Sequence, residues 1–446
     1  MLLTRIAEPT AIVWLRRDLR LNDNAALYHA LKSGNPVLPL FIFDRDILDH
    51  LDDKRDRRVE FIHQQIEDLQ RQMTTLGSAL VVRYGKPLDV WNQLLSEIEI
   101  AAVYTHHDYE RYAKGRDTEI GNLMAEAGAG FHTYKDQSIF EKDEVLSGSA
   151  SPYTVFTPYS RNWHGKLNDF YLKSYPTEEC FSNFLKINEN AEYWRAVPTL
   201  AEMGFAPLGE SFPKPTVDND LLETYQKTRD IPAINGTSEL SIHLRFGTIS
   251  IRELARQAQA ANGATFLSEL CWRDFYFQVL HHFPHVETGS FRPQYDNIAW
   301  RNNETEFQAW CDGQTGYPMV DAGMRQMNTV GWMHNRVRMV TASFLCKHLL
   351  IDWRWGDRYF AKKLRDYDLS ANNGGWQWAA GSGTDAAPYF RVFNPALQAE
   401  KFDPKGEYIR RWIPEFNSLS YAKPIVDHAM ARQRAIDTYK VGLAKE

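Results

Sequence analysis

The sequence predicts an α/β domain built on a doubly wound, parallel five-stranded sheet, followed by an all-α domain and joined to it by a long connector. Three observations predict this. The first 134 residues alternate five short apolar runs with helical stretches of ten or more residues. Beyond residue 216 only helical periodicity remains. The chain of 446 residues also exceeds what one hydrophobic core ordinarily organises. The expected boundaries are 1–134, 135–215 and 216–446.

In chain order, Ala11–Leu15 is the first strand candidate and runs into the charged loop Arg16-Arg17-Asp18-Leu19-Arg20. A helix starts near Asn24 with Asp23 as its N-cap. Val37–Phe43 is the second strand candidate, and Arg57–Thr75 has helical apolar spacing through Phe61, Ile62, Ile66 and Leu69. Ala79–Tyr84, Ala101–Thr105 and Phe131–Tyr134 complete the five. The glycine-rich signatures of dinucleotide and phosphate loops are missing, so a ligand here would sit at the switch point of the sheet without them. From Lys135 to Pro215 the pattern decays into a connector containing a short helix or two. The helices expected after it are Leu240–Phe246, Ile251–Gln259, Phe266–His281, Val320–Met327, Met333–Leu350 and Arg358–Leu364.

Composition excludes several classes. Hydrophobic residues make up 43% and charged residues 24%, a soluble balance that rules out disordered, collagenous and disulfide-scaffold chains. Met1–Thr10 is too short and polar for a secretory leader, and no apolar run is long enough to span a membrane. The four cysteines are dispersed, with no C-x-x-C pair and no metal-ligand spacing, which points to reduced thiols in a cytoplasmic protein. The net charge of −6 is unevenly spread: residues 331–446 carry 18 basic and 12 acidic residues, so a basic C-terminal face coexists with an acidic total. Nine of the 13 tryptophans lie between Trp272 and Trp412. Rings in such number fill cores, and they also stack on bases and flat cofactors.

Four segments concentrate polar groups that could carry chemistry. Gly236-Thr237-Ser238-Glu239-Leu240-Ser241 opens a helix with hydroxyls and free backbone N–H groups, either an anion site or a simple capping box. Glu269, Trp272 and Arg273 share one helix face, either as an exposed ion pair packed on an aromatic or as a carboxylate beside an indole that recognises a flat ligand. In Gly331–Met339, Trp332, Asn335 and Met339 fall at i, i+3 and i+7. Asn is a poor helix-interior residue unless its amide has a partner, and the two arginines Arg336 and Arg338 point elsewhere. The fourth segment, Asp366–Trp378, packs two acids, three amides, two glycines and two indoles into thirteen residues. Its glycines permit close backbone approach and its amides both donate and accept, which marks it as a binding segment.

Together with the opening Trp14-Leu15-Arg16-Arg17-Asp18-Leu19-Arg20 and the later Glu400-Lys401-Phe402-Asp403 and Arg411-Trp412, these segments resemble the photolyase/cryptochrome family over nearly the whole chain. Within it the chain looks most like bacterial class I cyclobutane pyrimidine dimer photolyases. The resemblance implies a helical domain that binds FAD and DNA, and an N-terminal domain for an antenna chromophore. Tyr225, Thr237, Ser238, Leu240, Ser241, Arg338, Asp366, Asp368 and Asn372 match FAD contacts, with Arg338 and Asp366 an ion pair beside the flavin and Asn372 facing its N5. Glu269, Trp272, Asn335, Met339 and Trp378 match the lesion pocket, and Arg229, Arg336 and Arg391 match a rim that grips the DNA backbone. Of these, Glu269, Asn335, Met339 and Asn372 are the expected catalytic residues. Trp376, Trp353 and Trp300 match a chain of tryptophans that carries electrons to oxidised flavin.

The implied activity is light-driven splitting of pyrimidine dimers in double- or single-stranded DNA by a monomer without a metal, after the dimer is turned out of the helix. A second chromophore is implied, methenyltetrahydrofolate first and a deazaflavin second. The rival activities are a cryptochrome photoreceptor and a six–four photolyase. Against the first stand the amide at Asn372, where plant receptors generally have an acid, and the expected lack of a signalling tail after Glu446. Against the second stand Asn335 and Met339, where six–four enzymes typically have histidines. The DASH branch usually has Tyr where Trp378 stands.

Overall fold

In the computed structural model, residues 5–188 and 191–444 are described, and they fall into two compact units, each assembled from separate stretches of chain. The first takes the described residues through Glu141 with Leu167–Thr216 and Glu239–Gln257. The second takes Lys142–Lys166, Val217–Ser238 and the described residues from Ala258 onward.

The first unit is built on strands β1 (Ile6–Leu15), β2 (Val37–Asp44), β3 (Val81–Gly85), β4 (Ile98–His106) and β5 (Gly130–Tyr134). They form one parallel sheet in the order β3-β2-β1-β4-β5, so the winding direction reverses between β1 and β4. Both faces of the sheet are covered. Ala11, Val13 and Leu15 of β1 enter one apolar core, and the alternate residues Ile12 and Trp14 enter another. The helix Arg57–Thr75 has the expected bounds, is capped by the Asp56 side chain, and buries Phe61, Ile66, Leu69 and Met73.

One cap differs from expectation. The helix Ala25–Leu31 is capped by Asn24, whose side-chain oxygen accepts from the Leu27 N–H at 2.9 Å, and not by Asp23. The buried Asp23 carboxylate is already engaged, accepting from Ser250 Oγ at 2.6 Å and Arg252 Nε at 3.0 Å. Arg252 and Arg20 both also reach Asp136, each at 2.7 Å. Burial alone would raise the Asp136 carboxyl, but Arg20 and Arg252 overcome it and hold the group below the usual range. His106 Nε2 accepts from the Ala26 N–H at 2.9 Å, which leaves the proton on Nδ1, 2.8 Å from Asp18. Pairing of this kind offsets the cost of burying Arg20, Arg252 and Asp136 as charges.

The described part of the second unit has no strands. Its helices Ala264–His282, Pro318–Val330, Trp353–Lys363 and Leu369–Ala380 enclose a core that includes Trp310, Met319, Met324, Met327, Trp353 and Trp376. The long helix expected over Met333–Leu350 is divided. An α-helix runs from Asn335 to Ser343, and a π-turn follows over Phe344–His348, closed by the Leu349 N–H donating to the Phe344 carbonyl at 3.1 Å. The start is set by His334, whose Nδ1 accepts from the Arg336 N–H at 3.2 Å. Trp332 therefore lies before the helix and shares no helical face with Asn335 and Met339. Asn335 is the first helical residue, where an amide side chain carries none of the interior cost.

All four cysteines are buried and free. Among the described residues no group of side chains is placed to hold a metal ion, and no helix is long and apolar enough to cross a membrane.

Candidate functional site

The second unit contains a cavity of about 370 Å³, inside the ~300–1,000 Å³ range of small-molecule sites. One wall is the helix Leu369–Ala380, held at its N-terminus by Asp368, whose carboxylate accepts from the Ser370 and Ala371 N–H groups at 3.1 and 3.4 Å. This helix presents Ala371, Asn372, Gly375, Trp376 and Trp378 to the cavity. A Cβ added at Gly375 would meet nothing within 4 Å, so this face is open to a flat ligand. The neighbouring Gly374 serves a protein contact instead, since a Cβ there would fall 2.2 Å from the Tyr276 ring. The three amides of the segment also divide. Asn373 donates to the Val286 carbonyl at 2.8 Å and Gln377 accepts from the Phe291 N–H at 2.7 Å, so both are buried structural groups, and only Asn372 reaches the cavity.

Asn372 Nδ2 donates to Asp357 Oδ1 at 2.7 Å, which leaves its carbonyl oxygen as the group it can offer a ligand. Burial pushes the Asp357 carboxyl up to about 6, against the pull of the Asn372 hydrogen bond. Sequence reasoning missed Asp357, because an acid in Trp355-Gly356-Asp357-Arg358 looks like an ordinary surface residue. Beside Asn372, Arg338 Nη2 bonds both oxygens of Asp366 at 2.8 and 3.1 Å, and its Nε donates to the Met333 carbonyl at 2.7 Å. A charged fork is thereby fixed at the cavity wall.

The opposite side carries Glu269, Trp272 and Tyr276 from the helix Ala264–His282. Glu269 is not an exposed partner of Arg273. It pairs with Arg229 at 2.5 Å, with side chains only 24% and 29% exposed for Arg229 and Glu269. Burial raises the Glu269 carboxyl and Arg229 lowers it, and the net direction is upward. Arg273 instead lies 4.6 Å from the Phe277 ring centroid. One face of Trp272 is covered by Phe156, stacked at 3.5 Å and 7°, and Tyr276 lies tilted beside the indole at 5.6 Å. Phe156, 116 positions upstream in sequence, carried no local signal. Asn335, Arg336 and Met339 line the mouth, and Arg336 bonds Asp230 at 2.8 Å.

The remaining predicted residues, Trp376 excepted, stand apart from the cavity lining. Tyr225 packs edge-on to Phe266 at 5.2 Å, beneath Arg229, and burial with nearby Glu269 lifts its hydroxyl to about 12. Thr237 and Ser238 are half-buried in the second unit, whereas Leu240 and Ser241 belong to the first. The helix there begins only at Ser241, with Leu240 at the cap position making no side-chain cap bond, so neither Thr237 nor Ser238 is its N-cap. Arg391 is exposed in a loop beside the exposed Phe390. Trp353 and Trp376 are buried in one cluster and Trp300 packs against it. Trp376 touches Trp310 and Phe360 edge-on at 6.0 and 4.9 Å, and Trp310 was not anticipated.

Residues 11–179 match the family model for DNA photolyase, and residues 266–420 match that for the FAD binding domain of DNA photolyase. A deoxyribodipyrimidine photo-lyase of Synechococcus sp. is 36% identical over 462 residues, covering 95% of each chain. This chain belongs to the photolyase/cryptochrome family. A solved class III photolyase from Agrobacterium tumefaciens covers 98% of both chains with a TM-score of 0.86 and 32% identity. An archaeal photolyase from Sulfolobus tokodaii, solved with two FAD molecules, covers 97% of this chain and 100% of its own, with a TM-score of 0.77 and 32% identity. The photolyase FAD-domain match contains every cavity residue from Glu269 to Trp378. The open face at Gly375, the unspent carbonyl of Asn372 and the Arg338–Asp366 fork fit a flat heterocycle with hydrogen-bonding edges.

Proposed function

We propose that this protein repairs cyclobutane pyrimidine dimers in DNA with light, the cavity of its helical unit holding FAD and receiving the dimer. The observation that carries this is one cavity that combines two amides, two ion pairs and three indoles with an arginine rim. When bound and reduced, FAD supplies an electron on excitation. Arg338, Asp366 and Asp368 bind its polar edge, and Tyr225, Thr237 and Ser238 serve the rest of the cofactor, as Leu240 and Ser241 do in the family pattern. Asn372 offers only an oxygen there. An amide has no proton to deliver, which suits a cofactor kept reduced and anionic.

The chain's own contribution to the dimer is positioning. Trp272, backed by Phe156, and Trp378, beside Phe393 at 6.2 Å, give apolar walls for an unstacked pyrimidine pair. Glu269, its carboxylate paired with Arg229, is set to accept a hydrogen bond from the edge of the dimer, and Asn335 and Met339 complete the pocket. Arg229, Arg336 and Arg391 hold the backbone, which gives register without base sequence. Trp376, Trp353 and Trp300 pass electrons inward to restore the reduced cofactor. The two indoles with Asn335 and Met339 favour the class I type. A second chromophore fits the family, with methenyltetrahydrofolate ahead of a deazaflavin. The absorption spectrum of the purified protein identifies it.

The test is illumination of the reduced, FAD-loaded protein with duplexes containing either a cyclobutane dimer or a six–four product. Repair of the first alone is expected. No dimer splitting under blue or near-ultraviolet light sinks the proposal.

A further inference from the structure

Arg229 and Asp230 are adjacent in the turn after the helix Asn219–Thr228, and they pair in opposite directions. Arg229 takes Glu269 on the helix Ala264–His282, while Asp230 takes Arg336 on the helix Asn335–Ser343. One Asp230 oxygen accepts from both Arg336 Nε and Nη2, at 3.1 and 2.8 Å. The same guanidinium lies 4.4 Å from the Phe402 ring centroid, and its Nη1 is 3.6 Å from Met339 Sδ. Arg336 is thus held on an aromatic face, at the cavity mouth, with its charge already answered by a carboxylate.

Such an arrangement bears on how a rim arginine meets DNA. Non-specific affinity comes from cations that displace counterions at phosphates. An arginine in a preformed ion pair contributes little to it, because a phosphate must first displace the carboxylate. The Asp230 side chain is 41% exposed and can give way to a phosphate that arrives in the right place.

We infer that Asp230 determines specificity: it competes with phosphate for Arg336, so that ordinary duplex leaves the pair intact and a duplex with its dimer in the cavity breaks it. This rests on the DNA-repair reading above. In the absence of Asp230's charge, Arg336 would seize any backbone that passed.

The experiment measures dark binding of the FAD-loaded protein to a labelled undamaged duplex and to the same duplex with one thymine dimer, across a range of salt. For Asp230→Asn, affinity for undamaged duplex should rise about two- to fivefold at low salt. The slope of log K against log salt on undamaged duplex should steepen by about 0.9 for one added phosphate contact. Affinity for the dimer duplex should change less, so discrimination falls, and adding Arg336→Gln should erase the gain. The unmodified protein gives an independent measure, since its slope on dimer duplex should exceed that on undamaged duplex by at least one contact. Unchanged or weaker binding of undamaged duplex by Asp230→Asn overturns the inference, as do equal slopes in the unmodified protein. Failure of the unmodified protein to prefer dimer duplex at all counts against the repair reading instead.

Discussion

Replacing Asp357 with Asn isolates the electrostatic cost of the acid that holds Asn372. Its carboxyl is displaced from 3.8 to about 6, chiefly by burial. That displacement is worth at most about 3 kcal/mol. The sign follows from which state keeps the proton. Below about pH 4 both the folded and unfolded chains hold it and nothing is lost. Between about pH 4 and 6 the unfolded chain ionises first, so folding stability contributed by this group falls as pH rises, and above that the loss is constant. Asp357→Asn removes the titration but keeps a carbonyl oxygen that can accept from Asn372 Nδ2. The variant should therefore gain on the unmodified protein as pH rises from about 4 to 7. For a unit of this size the gain corresponds to a thermal midpoint up to roughly 5–10 °C higher at the plateau. Thermal melts in a pH series check it, with flavin content measured in parallel. A difference between the two proteins that stays flat from about pH 4 to 8 refutes the claim that Asp357 is forced upward by burial.

Three further outcomes are expected. Glu269→Ala should lower repair per photon while leaving bound flavin unchanged, because the proposed function assigns it to the lesion side of the cavity; an unchanged quantum yield reduces Glu269 to an ion partner of Arg229. Trp376→Phe should block photoreduction of oxidised flavin and largely spare repair by chemically pre-reduced protein; equal loss in both assays excludes the relay role. Gly356→Ala should destabilise the helical unit by about 1–3 kcal/mol through overpacking, since its Cβ would fall 2.1 Å from the Trp376 ring. A melting temperature unaltered by this change shows that the ring can move aside.

What the sequence made legible follows the range of the forces involved. Strand positions such as Val37–Phe43 were readable because burial on both faces of the sheet leaves an unbroken apolar run. The cavity helix was readable because Asn372, Gly375 and Trp378 crowd unusual chemistry into one short stretch. The start at Asn335 was hidden, since a histidine cap gives a weak signal and Met333–Leu350 reads as one period. The choice of Asn24 over Asp23 depended on Arg252, more than two hundred residues away, claiming the carboxylate first. Glu269 had a ready partner four residues along the helix, yet it took Arg229 from another element. Phe156 behind Trp272 and Asp357 behind Asn372 are contacts of tertiary packing alone, and local pattern carries no trace of them.

Asn372, Trp376 and Trp378 ride on the same twelve-residue helix. Its rise sets Trp376 about 6 Å and Trp378 about 9 Å further along the axis than Asn372. The helix therefore acts as a ruler, graduated in whole residues, on which the proposed cofactor amide, the proposed first ring of the electron relay and the proposed wall of the lesion pocket are marked. No one of these spacings can be adjusted alone: a residue gained or lost within the helix would turn every later mark by about 100° and away from the cavity. Tuning in such a protein is confined to what surrounds the ruler, such as Asp357, Gly356 and Phe393, each of which adjoins one mark and leaves the other two in place.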